Sequence, residues 1–168
     1  MEVRFKNTCT QNPQTLTELA RHTGGRWSWL FVVLPIAAAA AGVIITVKSG
    51  FGFTAGLFFL AALMILSVLM SAPKRAAAQV VERNRKQYGE DIAVTLDFFD
   101  DGIKAMNHQM QTRADAQYSD IIRLIETKSL YLLMVKRGMA LMVAKDGFSL
   151  GKEKDFPAFI MEKTGLKF

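Results

Sequence analysis

Two apolar runs without a charged residue, Trp27 to Val47 and Phe51 to Met70, stand only three residues apart and limit most of what this chain can become. At about 1.5 Å of rise per residue, each is long enough to cross the roughly 30 Å hydrocarbon core of a bilayer. Lys48, Ser49 and Gly50 are too few to fold into a loop, so the two segments are expected to run antiparallel as a hairpin. Lipid offers no partner to a bare amide or carbonyl, which drives such segments to be helical. Pro35 removes one backbone hydrogen bond and is expected to kink the first helix near Phe31. A hairpin of soluble helices is the competing reading, and the length of the uncharged runs argues against it.

The flanking charges orient the hairpin. Arg21 and Arg26 precede it and Lys74, Arg75, Arg83, Arg85 and Lys86 follow it, whereas the turn holds Lys48 alone. Positive flanks stay in the cytoplasm, so both termini are expected there. A cleaved signal peptide would also begin with Arg26, an apolar run and the small residues Ala37 to Gly42. Three features oppose it: the patterned residues ahead of the run, a length beyond the roughly 15 residues of a signal core, and the second span that follows at once. Trp27 and Trp29 read as interfacial anchors.

With 168 residues and two spans in the membrane, roughly 100 residues remain for one small soluble domain and a short N-terminal piece. The net charge of +6 would point to nucleic acid in a soluble protein, but the basic stretch after the second span is accounted for by topology, so no nucleic-acid partner is expected. Cys9 is the sole cysteine, which excludes an intramolecular disulfide and agrees with a reducing compartment.

In chain order, Glu2 to Thr8 alternates as a half-buried strand, and Asn12 with Pro13 opens a helix whose stripe is Leu16, Leu19 and Ala20, ending near Gly24 and Gly25. A lone strand leaves its edges unpaired, so this one is expected to join the sheet formed after the hairpin. Ala38 with Gly42, and Gly52 with Gly56, are small residues four apart that would let helices approach closely. Packing of the hairpin on itself is the plain use of these stripes, and homo-oligomerisation is the alternative. Pro73 to Tyr88 is expected to continue as a helix beyond a break or kink at Pro73. Lys74, Arg75, Arg83, Arg85 and Lys86 on it are candidate contacts for anionic lipid headgroups, worth about 1 kcal/mol each near a charged surface, unless they only set topology or form a solvated face.

After Gly89 the period becomes two. Ile92, Val94, Leu96 and Phe98 mark a strand, Asp100, Asp101 and Gly102 a turn, and Ile103 to Met110 a more polar strand nearer an edge. A further strand is expected around Ala114 to Tyr118, then a turn at Ser119 and Asp120 before Ile121 to Thr127. Leu130 to Lys136 and Met139 to Ala144 read as a buried hairpin. Asp155 is expected to cap a closing helix that carries Phe156, Phe159 and Ile160 and stops at Gly165.

Phe-Phe-Asp-Asp-Gly-Ile from Phe98, Tyr-Ser-Asp-Ile from Tyr118, Glu-Thr-Lys-Ser-Leu-Tyr-Leu from Glu126, Ala-Lys-Asp-Gly-Phe from Ala144 and the Phe-rich C-terminal helix together resemble the YcxB-like family of bacterial membrane proteins. The sequence departs from that family at Ala144, where a proline is usual. The resemblance implies an α+β membrane protein of the bacterial inner membrane. In it a transmembrane α-hairpin is inserted between an N-terminal strand and helix and an antiparallel β domain similar to the pleckstrin-homology type, closed by a C-terminal helix. The expected segments are residues 1–25, the hairpin 26–71, a basic juxtamembrane helix 72–89 and a PH-like domain 90–168. The resemblance implies no reaction.

Catalytic, metal and cofactor signals are weak throughout. His22 and His108 have no ligand-spaced partner, Asp100 and Asp101 read as a solvated turn, and Ser119, His108 and Asp120 lack the setting of a nucleophile elbow. Gly50, Gly52 and Gly56 do not have dinucleotide spacing. No catalytic, cofactor-binding or metal residue is assigned, and an enzyme is not expected. The expectation is a membrane-tethered adaptor for a protein partner; the alternatives are an anionic-lipid-responsive domain and, less favoured, a membrane-associated enzyme or accessory subunit.

Overall fold

The computed structural model describes residues 2–23, 28–50 and 52–168. Arg26, Trp27, the Gly24–Gly25 helix stop, Phe51 and the side chain of Trp29 lie outside the described residues. In chain order the elements are β1 (Phe5–Thr10), α1 (Pro13–Thr23), α2 (Ser28–Ser49), α3 (Phe53–Tyr88), β2 (Ala93–Phe98), β3 (Ile103–Asn107), β4 (Thr112–Ala116), β5 (Ile121–Glu126), β6 (Leu130–Val135), β7 (Met139–Ala144), β8 (Phe148–Leu150) and α4 (Phe156–Thr164). They fall into two compact units, Met1–His22 with Ala77–Phe168, and Thr23–Ala76.

In the first unit β1 alternates strictly, with Phe5, Asn7 and Cys9 buried and Lys6, Thr8 and Thr10 exposed. As expected for an orphan strand, it joins the later sheet, pairing antiparallel with β2 in the register Phe5↔Phe98 to Thr10↔Ala93. Its other edge pairs with β8, a strand the sequence pattern did not reveal, so β1 is interior to a five-stranded sheet of order β4-β3-β2-β1-β8. The second sheet is the meander β5-β6-β7. One helical turn, Tyr118–Asp120, joins the two sheets.

Two cores explain why β6, Leu-Tyr-Leu-Leu-Met-Val, has no alternation. Tyr131, Leu133 and Val135 face a core with Leu96, Phe98, Ile103, Phe156 and Ile160, whereas Leu130 and Leu132 face a second with Cys9, Leu16, Ala77, Val81 and Met142. A strand covered on both faces reads as a continuous apolar run. Phe156 of α4 is the centre of the first core, with ring centroids 5.0 Å from Phe98, 5.2 Å from Phe148 and 5.6 Å from Phe5 and Tyr131.

Helix ends follow local chemistry with one correction. Asn12 caps α1, its Oδ1 accepting the Gln14 and Thr15 amides at 2.9 Å. Gly165, at φ 69°, stops α4 and donates its amide to Met161. Asp155, however, makes no side-chain cap; Pro157 in the first turn has no amide to satisfy, which removes one of the orphan donors.

Both prolines lie inside helices: α3 continues through Pro73 without a break, leaving a kink as the form that the expectation there can take, and α2 continues through Pro35. Proline forfeits one bond in a helix interior, at about 3 kcal/mol, and the strong helix formers Ala76, Ala77 and Ala78 follow at once. From Ala77 onward α3 packs in the sheet unit, where Ala77 and Val81 are buried.

In the second unit Gly42 of α2 lies against the Phe59 ring of α3; a Cβ there would stand 3.2 Å from it. Ala55 is fully buried. Among the described residues, α3 is long and apolar enough to cross a membrane by length and composition, and the apolar stretch Val32–Lys48 of α2 is shorter.

Candidate functional site

A concave feature of the sheet unit lies where the first turn of α1 meets α3. Pro13, Ala78, Val81, Glu82, Arg85 and Lys86 line a pocket of about 410 Å³. The Asn12 cap orients α1 here, and residues 78, 81, 82, 85 and 86 come together because three or four residues complete a helical turn. Its floor is apolar and its rim carries both signs of charge. Arg85 is held by Asp91 in a bidentate pair, Nε to Oδ1 at 2.6 Å and the second guanidinium nitrogen to Oδ2 at 2.9 Å. That hydrogen-bonded guanidinium, against a small opposing desolvation, holds the Asp91 carboxyl below its usual range. Lys86 pairs with Glu82 at 2.7 Å.

The five basic residues singled out in the sequence therefore divide. Arg85 and Lys86 are engaged in ion pairs, while Arg83 is exposed and has no ion pair among the described residues. Lys74 and Arg75 belong to the helical unit, are exposed and likewise have no ion pair among the described residues. The small-residue stripes divide too. Gly42 is in contact with Phe59, whereas a Cβ at Gly52 or Gly56 would meet nothing within 4 Å, and Ala38 is partly buried. The residue of α3 that meets Gly42 is Phe59.

Groups with chemical potential are each committed elsewhere. His108 Nε2 lies 2.7 Å from the Thr95 hydroxyl, which in turn is 2.9 Å from that of Thr8. The Ser119 carbonyl accepts from Lys136 at 2.9 Å and Asp120 is 3.4 Å from the same ammonium, so the Ser119 and Asp120 contacts are to Lys136 while that of His108 is to Thr95. Asp100 of the acidic turn pairs with Lys163 at 3.1 Å. Burial, and secondarily Asp146, pushes the Cys9 thiol up to about 12. Among the described residues no group of three or more His, Cys, Asp or Glu could hold a metal ion.

Two polar devices, one buried and one half-buried, escaped the sequence reading. Asn7 is fully buried and bridges β1 to β7, with Nδ2 donating to the Ala144 carbonyl and Oδ1 accepting the Ala144 amide. Glu18 of α1 receives the Thr127 hydroxyl at 2.6 Å, the Ser129 hydroxyl at 2.8 Å and the Ser129 amide at 3.2 Å, which clamps the β5–β6 turn to the helix. Asn7 left one signal: a carboxamide at an inward position between Phe5 and Cys9.

These features define an α+β protein with a two-sheet domain and one long apolar helix. Residues 98–160 match the family model described as YcxB-like protein, so this segment, from the end of β2 into α4, carries the YcxB-like domain. No curated protein and no solved structure matches the chain.

Proposed function

We propose that the chain is a membrane-tethered adaptor of the bacterial inner membrane. In this reading α2 and the first part of α3 form a transmembrane hairpin, both termini are cytoplasmic, and the two-sheet domain is a PH-like module that offers a surface to a protein partner. One observation carries the reading: apolar side chains point outward around both helices of the Thr23–Ala76 unit. Ile36 is 62 % exposed, Val47 80 %, Phe53 83 %, Leu63 66 % and Met70 71 %. A helix that is apolar all round needs a cover of hydrocarbon or protein. The domain adds an apolar-floored pocket with a mixed-charge rim, which suits a peptide segment, and no chemistry is assigned to it.

The test is extraction of the chain from its own membrane in mild detergent or nanodiscs, followed by native mass spectrometry. A stoichiometric second protein is the expected result. Retention through alkaline washing with only anionic lipid bound would overturn the adaptor role. Release by alkaline washing would overturn the anchoring.

A second reading, response to anionic lipid, is favoured by Lys74, Arg75 and Arg83, exposed cations without an acidic partner among the described residues. Salt-sensitive binding of the chain to phosphatidylglycerol vesicles, weakened when the three are changed to glutamine, supports that reading; unchanged binding removes it.

A further inference from the structure

One edge of the five-stranded sheet is β4, Thr-Arg-Ala-Asp-Ala, paired on one side with β3 and exposed along Thr112 to Asp115, the other edge being the three-residue β8. The registers place Lys6 opposite Asp97, Asp97 opposite Lys104 and Lys104 opposite Asp115. Charge thus alternates along one row across four strands, with Lys6 and Asp97 3.6 Å apart, and the row ends on Asp115 at the open edge. Arg113, two residues earlier, is on the same face.

We propose that β4 is an interface for a second copy of this chain, pairing antiparallel about a twofold axis at Ala114 and extending the sheet. In that register Ala114 faces its own copy, Thr112 faces Ala116, and Arg113 faces Asp115 twice over, so the alternation of charge continues into the second copy. The register is selected by the charges themselves. Sliding the strands two residues one way sets Arg113 against Arg113, two residues the other way sets Asp115 against Asp115, and sliding by one loses both opposed pairs. Directly opposed unlike charges stabilise a strand pair and like charges destabilise it. A twofold interface must be self-complementary, and this edge is. Charge on an edge strand commonly serves to prevent pairing, but a lone charge or charges of one sign achieve that, whereas an Arg and an Asp placed symmetrically about alanine neutralise each other across a dyad.

The experiment uses the full chain with Ala114→Cys. Opposed residues of antiparallel strands have Cα atoms about 4.5–5.5 Å apart, within disulfide range. Mild oxidation should then yield a covalent dimer that the parent chain, whose only thiol is the buried Cys9, does not form. Adding Arg113→Asp, which opposes Asp to Asp, should lower the dimer yield at least tenfold, and adding Asp115→Arg to that variant should restore it. Both residues are exposed, and an unchanged thermal unfolding midpoint verifies that each variant is folded. Absence of the dimer in Ala114→Cys, or a yield indifferent to the single and double charge changes, overturns the proposal.

Discussion

The Asn7 carboxamide grips the backbone of Ala144 at two points, Nδ2 to the carbonyl at 2.7 Å and the Ala144 amide to Oδ1 at 3.0 Å. A side chain of the five-stranded sheet thereby does for the end of β7 what a neighbouring strand would do. Replacing Asn7 with alanine leaves the buried Ala144 amide without its partner, at about 1–3 kcal/mol, whereas the Ala144 carbonyl keeps the Gly147 amide at 3.0 Å. The expected outcome is a loss of about 1–3 kcal/mol in chemical denaturation. A smaller loss than for an exposed-site control such as Thr10→Ala would show that water replaces the side chain.

Gly147 has no room for a side chain. A Cβ there would stand 2.3 Å from the Thr8 carbonyl oxygen, a backbone atom that cannot rotate away. The Gly147 carbonyl also accepts the Thr8 amide at 2.9 Å. Gly147→Ala should therefore separate β8 from β1 and shorten protection of the Thr8 amide in hydrogen exchange by at least tenfold. Unaltered protection would contradict this close approach.

Glu18 predicts an acid-sensitive brace. Burial raises its carboxyl, but the hydrogen bonds from Thr127 and Ser129 together outweigh burial and hold it below the ordinary range. A group whose folded pKa is depressed contributes stability above its unfolded value, about 4.3, and loses it as pH falls through the folded value. The difference in thermal midpoint between the parent and Glu18→Gln should thus be largest near pH 6–7 and shrink below about pH 4. A difference that does not vary with pH would contradict ionic bracing by Glu18.

Cys9 should behave as a packed apolar residue. It is 1 % exposed and its thiol is pushed up to about 12, so little thiolate exists at neutral pH. Alkylation at pH 8 should be slow in the native chain and rise by at least a hundredfold in denaturant. Rapid native alkylation would mean that β1 opens readily.

Much of this architecture is legible from local periodicity. The apolar runs, the strand at Ala93–Phe98, the β6–β7 hairpin, the helix start at Asn12 and the stop at Gly165 depend on residues a few positions apart, which set local backbone geometry. The YcxB-like segment was legible for the same reason, since its motifs are short and contiguous. Other features depend on distant contacts. Of the break or kink expected at Pro73, no break occurs, because the cost of about 3 kcal/mol does not end a helix of 36 residues. The three-residue β8 is too short to show a period, and it is held in place by β1, far away in the chain. Ala144, where the resembled family has proline, retains the amide that Asn7 accepts, a bond proline could not make.

The sequence by itself determined that two long uncharged apolar runs exist and that a strand-rich domain follows them, because these depend on composition and on spacing within a few residues. Only the tertiary structure decided that β1 lies between β2 and β8, that Asn7 and Glu18 are braces, that Arg85 and Lys86 are paired while Arg83 has no ion pair among the described residues, and that Phe59 rather than Gly52 or Gly56 meets Gly42. Each of these depends on which distant residues are brought within a few ångströms, and that is set by how whole faces bury against one another, which no local pattern records.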